Sequence, residues 1–177
     1  VMSPTALRML AVLALGVPAL SACAPTPEPT PTPSPAFASE EEAFAAAEAT
    51  FAEYTKATNS TDLQDPATFE LVYAWLADDA ATSARENYSR LHAAAIVRSG
   101  DSGFDRMEIQ SYADSEVTAN LCLDVSEVSL KNPDGTSAVP DDRPPRQPVN
   151  VEFVAATTST GLVISSITSS ETLQCEP

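Results

Sequence analysis

Lysine is almost missing from this chain: of nine basic residues only Lys56 and Lys131 are lysines, against 25 Asp and Glu, for a formal net charge of −16. No segment gathers basic residues into a stripe that could neutralise phosphates, so nucleic acid is excluded as a partner. The same acidity repels an anionic membrane surface, and any membrane attachment must come from something other than protein charge. Histidine is limited to His92. With one imidazole and no acid series of calcium-loop spacing, no metal site is expected, and no cofactor is implied. There is no Cys-x-x-Cys, no Gly-x-Ser-x-Gly elbow and no phosphate-binding loop, so the common redox, acyl-transfer and nucleotide signatures are lacking. Long apolar runs are lacking too, because residues 9–17 fall short of the roughly 20 needed to cross a bilayer as a permanent helix. Scarce lysine with abundant alanine points to a GC-rich genome, such as an actinobacterial one.

What the N-terminus does carry is a short apolar stretch after Arg8 that ends in Leu20-Ser21-Ala22-Cys23. A leucine, two small residues and a cysteine resemble the lipobox of bacterial lipoproteins, in which the thiol accepts a diacylglyceryl group and the preceding segment is removed. The resemblance implies a signal peptide over residues 1–22, lipidation at Cys23, and a membrane partner reached through the lipid anchor on the extracytoplasmic face of the cell membrane. Val1 reads as an alternative start codon translated literally, with Met2 as the other candidate start. Residues 24–35 place proline at every second position. That spacing favours extended polyproline II of up to about 37 Å at roughly 3.1 Å per residue. Residues 23–38 are therefore expected to be a lipidated tether, with a PxxP-type ligand as the alternative, and residues 39–177 a single α+β domain.

In that domain Ser39-Glu40-Glu41-Glu42 reads as a capping box whose acids face the positive end of a helix dipole. Phe44, Ala47, Phe51 and Tyr54 then recur at spacings of three and four, which predicts a helix ending near residues 58–60. Asp65 as N-cap and Pro66 at the first position open a second helix carrying Phe69, Tyr73 and Leu76. A third helix is predicted from Ser83, with Glu86 three residues on, a stripe of Ala84, Tyr88, Leu91 and Ala95, and a stop at Gly100.

Beyond Phe104 the period falls from helical to two. Val117, Ala119, Leu121, Leu123 and Val125 share one face of a strand, with Thr118, Asn120, Cys122 and Asp124 on the other. A strand over 105–112 precedes it through a tight turn at 113–115. Asn132-Pro133-Asp134-Gly135 marks the next turn, followed by a polar, proline-rich loop. Strands with Val149, Val151, Phe153 and Ala155, and then over 162–169, complete the set. Helices first and an antiparallel meander after them predict N-terminal helices packed on a curved sheet of about four strands. Export makes a Cys122–Cys175 disulfide the default, tying the C-terminal tail across the outside of the sheet.

The element order, together with Leu121-Cys122-Leu123-Asp124-Val125-Ser126 and Gly161-Leu162-Val163-Ile164-Ser165-Ser166-Ile167, resembles uncharacterised actinobacterial lipoproteins. Their domain is similar to the cone-shaped nuclear transport factor two (SnoaL-like) superfamily, over residues 39–175. The short strands that many members place between the early helices have no counterpart in the sequence. Enzymatic members of that superfamily need a pocket carboxylate or histidine for proton transfer, with an acid or phenol to stabilise an enolate. The candidates here are His92, Asp124, Tyr54, Tyr73 and Trp75. His92 reads as a partly exposed helix histidine, Asp124 as a solvent or turn contact, and the three aromatics as core or helix-interface residues. Arg143 and Arg146 cluster in a proline-rich loop, which marks either a contact for an anionic partner or a stiff hairpin connection. The favoured expectation is a non-enzymatic binding or accessory domain presented to an envelope protein or a small ligand. The alternative is a small-molecule isomerase, cyclase or hydrolase of the cone-fold type.

Overall fold

The structure, a computed structural model, describes residues 37–113 and 115–176. The signal peptide expected over residues 1–22, Cys23 and residues 24–36 of the expected tether lie outside the described residues. Within them, three helices pack on a curved four-stranded antiparallel sheet, the cone-like α+β architecture expected from the sequence.

Helix α1 runs over Glu40–Asn59. The Ser39 hydroxyl accepts from the Glu42 N–H at 3.2 Å, and the Glu42 carboxylate reaches back to the Ala38 N–H at 2.9 Å. The cap is therefore reciprocal, displaced by one residue at its outer end. Ala43, Ala47, Thr50 and Phe51 form the buried face, with Phe44 and Tyr54 partly buried beside them. The Asp65 carboxylate caps a 3-10 turn at Pro66–Phe69, which passes directly into the short α2, Glu70–Tyr73.

Helix α3 spans Asp78–Ala93. It begins five residues before the predicted Ser83 because tertiary pairing supplies its start: the Ala77 N–H donates to the Ile164 carbonyl at 2.8 Å, while the Ala77 carbonyl accepts from Ala81. Asp78 and Asp79 then sit in the first turn, where the dipole favours acids. Its end also differs from expectation. The Ala95 N–H donates to the His92 carbonyl and the Ile96 N–H to that of Leu91, a Schellman closure with Ala95 at φ 51° in the position glycine usually takes. Gly100 plays no part in stopping the helix.

After α3 comes a two-stranded ribbon absent from the sequence reading, β1 (Val97–Ser99) paired antiparallel with β4 (Ser129–Lys131). The main sheet has the order β2-β3-β5-β6, with β2 at Gly103–Ala113, β3 at Glu116–Asp124, β5 at Arg146–Ala155 and β6 at Leu162–Ser169. Register shifts in β2 and β6 bend the sheet around the helices. In place of strands between the early helices there is one parallel bridge, Leu76 to Ile164 on the edge of β6.

Val117, Ala119 and Leu121 of β3 face the helices with Val151 and Phe153, and all are fully buried. The opposite face of β3 is covered as well. Cys122 is joined to Cys175, and Asn120 is buried between the Asn150 and Thr172 side chains. The C-terminal segment thus crosses the outside of the sheet as the cysteine pairing predicts. Arg106 and Arg146 donate to the Gln174 and Glu176 carbonyls and hold it there.

Candidate ligand-binding cavity

The open end of the cone is walled by α1, α3, the sheet and the β1–β4 ribbon. Between them lies a cavity of about 210 Å³. Phe51, Leu63, Leu91, Leu123, Val128, Leu130 and Ile167 supply an apolar lining. An outer groove of about 650 Å³ between α3 and the edge of β6 shares Tyr54, Thr58, Asn87, Tyr88 and Ile167 with the cavity, so the two spaces lie side by side.

Polar groups are few and concentrated. Tyr54 and Thr58 lie one helical turn apart on α1, Asn87 and Tyr88 face them from α3, and Arg98 enters from β1. Burial pushes the Tyr54 phenol up to about 12, and the neighbouring Tyr88 adds to the rise. Tyr88 is raised too, chiefly by burial, with Thr58 and the positive charge of Arg98 opposing the shift. Both phenols are therefore neutral at physiological pH and able to donate. Thr58 Oγ1 is near enough to temper both, yet it is buried without a hydrogen-bond partner among the described residues. Such a hydroxyl can bond a ligand atom or a water.

The residues singled out from the sequence distribute differently. Tyr54 is in the cavity. His92 is not: its Nδ1 donates to the Leu63 carbonyl at 2.8 Å, and its ring meets Phe69 edge-on. Tyr73 packs against Phe69 and Tyr88 beneath the Arg85 guanidinium, and Trp75 is half-buried with its carbonyl bonded to the Ile164 N–H. Asp124 accepts from the Ser126 N–H at 2.9 Å, and that bond, with Arg146 nearby, holds its carboxyl below the usual range. Arg143 donates to the Val125 and Val128 carbonyls at 3.1 and 2.6 Å. Arg146 pairs with Asp105 and with the Glu176 carbonyl. Both arginines are thus tied to the domain's own backbone, and Arg146, expected in the loop, is instead the first residue of β5, paired with Asp124.

Thr58, Asn87, Tyr88 and Arg98 escaped the sequence search as site residues. Tyr88 was legible as a stripe position on a helix. Arg98 carried no local signal, because its place depends on the pairing of β1 with β4, where its partner Leu130 lies 130 − 98 = 32 residues further along the chain.

No protein-family profile matches the sequence, and no curated protein is significantly similar to it. Solved structures do match. The intermembrane-space region of the chloroplast protein ARC6 superposes with a TM-score of 0.50 at 14% identity, over 70% of this chain and 92% of that one. The shared feature is the fold. A protein from Catenulispora acidiphila determined in complex with S-DNPA matches at 18% identity and a TM-score of 0.46, over 70% of this chain and 89% of its own. Aln2 from a Streptomyces species matches at 15% and 0.45, over 73% and 90%. Among the described residues no helix is long and apolar enough to cross a membrane.

Proposed function

We propose that this chain is a lipid-anchored, extracytoplasmic binding domain that holds a small, mainly apolar molecule in the cone cavity without transforming it. The observation that carries this reading is the lining of the inner cavity: apolar walls, two neutral phenols, an unpartnered hydroxyl and a guanidinium, with no carboxylate or imidazole among the described residues that line it. A pocket of that make-up can orient a ligand by hydrogen bonds. Proton abstraction calls for a base within reach of the substrate. His92 lies outside the lining, and its ring is held by the Leu63 carbonyl; Asp124 lies outside it too, at the end of β3, where it accepts from the Ser126 N–H. The Cys122–Cys175 bridge suits an oxidising compartment, and the Leu20-Ser21-Ala22-Cys23 motif suits a lipid anchor in front of it.

Ligand-detected NMR on the full chain with toluene, phenol and cyclohexanol tests the binding reading. Saturation transfer to at least one of them is expected, and transfer to none dismisses it. For the anchor, Cys23→Ala is expected to release the protein into the medium or leave it unprocessed. Unchanged acylated membrane retention of that variant refutes lipidation.

A further inference from the structure

Arg98 is an unusual member of the cavity lining. The chain carries 25 acidic residues, yet the ion pairs among the described residues are Lys56–Glu53, Arg106–Glu108 and Arg146–Asp105, and Arg98 is in none of them. Its guanidinium is half-buried and is steadied by neutral acceptors, Nη1 on the Thr58 carbonyl at 3.3 Å and Nη2 on Asn59 Oδ1 at 2.9 Å. Asn59 is fixed in turn, since its Oδ1 also accepts from the Ser102 N–H and hydroxyl and its Nδ2 donates to the Ser102 carbonyl. These bonds leave Nε and one proton on each Nη nitrogen without a protein acceptor among the described residues. A partly desolvated cation, held by neutral acceptors and given no counter-charge, favours an anion that completes the site.

From this we infer that the cavity selects carboxylic acids: the Arg98 guanidinium takes the carboxylate of a small apolar or aromatic acid, and the apolar walls take its body. The inference rests on the binding reading above and names its ligand class. Guanidinium and carboxylate are complementary planar groups, able to form two parallel charge-assisted hydrogen bonds. The buried Thr58 hydroxyl, on α1 directly beside the carbonyl that orients Arg98, offers a further donor to the same anion. Size fits as well. A cavity of about 150 Å³ accommodates one benzene ring, so about 210 Å³ takes a ring with a short acid arm.

The test is calorimetric titration of the full chain with phenylacetate, its neutral isostere phenylacetamide, and toluene. Phenylacetate is expected to bind about tenfold or more tighter than the amide, the order of a charge-assisted pair in a sheltered site. Arg98→Gln should abolish that preference by bringing phenylacetate affinity down to that of the amide, and Arg98→Lys, which keeps a point charge without the fork, should retain part of it. Because Arg98 also steadies the end of α1, toluene binding by each variant serves as the control for an intact cavity. Equal binding of acid and amide by the wild-type protein overturns the carboxylate assignment and leaves the pocket standing. A preference that survives intact in Arg98→Gln overturns the role of Arg98. Failure of all three compounds to bind overturns the assignment together with the binding reading.

Discussion

Cys175 is bonded to Cys122 across the outer face of the sheet, with Cα atoms 5.7 Å apart, and the segment that carries it buries Asn120 and places Leu173 out of solvent. The bridge closes a chain separation of 53 residues. On the loop-entropy estimate that constraint contributes about 4 kcal/mol. Cys122→Ala/Cys175→Ser is therefore expected to lower unfolding free energy by about 2–4 kcal/mol in urea titration, and to raise amide exchange at Leu173 ahead of the rest of the domain. A double variant as stable as wild type would mean that Arg106, Arg146 and Leu173 hold the strap by themselves.

Gly100 lies where no side chain fits. A Cβ there would stand 1.8 Å from the Glu127 carbonyl oxygen, a backbone atom that cannot step aside, and φ is +77°. Gly135 has a similar φ of +84° with nothing near its missing Cβ. Gly100→Ala should cost about 3 kcal/mol or more, while Gly135→Ala should cost only the roughly 1–2 kcal/mol of a left-handed alanine. Since the turn at Gly100 seats β1 against the loop leading to β4, ligand binding is expected to suffer with stability in the first variant and to persist in the second. Chemical denaturation of the two proteins side by side reads the difference.

Ala95 is strained in the opposite sense. Its φ of 51° closes the Schellman turn after α3, and it is exposed, so its methyl group brings no packing in return. Ala95→Gly is expected to stabilise the domain by about 0.5–1 kcal/mol, as relief of the left-handed penalty outweighs the added freedom of the unfolded chain. A lower melting temperature in the variant would contradict that balance.

Tyr54 predicts an alkaline weakness. Its phenol is raised in the folded state from about 10 to about 12, so between those pH values the unfolded chain has released a proton that the native state still holds. Stability from this group is complete below pH 10 and falls as pH climbs towards 12, by at most about 3 kcal/mol. Tyr54→Phe should flatten the decline in urea midpoints over that interval. An unchanged slope in the variant would locate the alkaline loss elsewhere.

Much of the scaffold was legible because its signals are local. Ser39 with Glu42, Asp65 with Pro66, and the alternation from Val117 to Leu123 each depend on atoms within a few residues, and each produced the expected element. The start of α3 was misread for the same reason. Ser83 and Glu86 satisfy the local rule for a cap, but the Ile164 carbonyl on a distant strand engages Ala77 and starts the helix earlier. The ribbon of β1 and β4 has only three residues per strand, too few for a period to register.

From the sequence alone came the strongly acidic balance, the division into helices followed by a meander, and two cysteines positioned to pair. Those properties follow from composition and short-range periodicity, which survive whatever the chain does in space. The cavity does not. Tyr54, Tyr88, Arg98 and Leu130 belong to four separate elements, and they converge because a bent sheet cannot close fully on its helices and a late ribbon swings across the gap. Which side chains face that space, and that Arg98 meets no carboxylate among the described residues there, is decided by long-range packing.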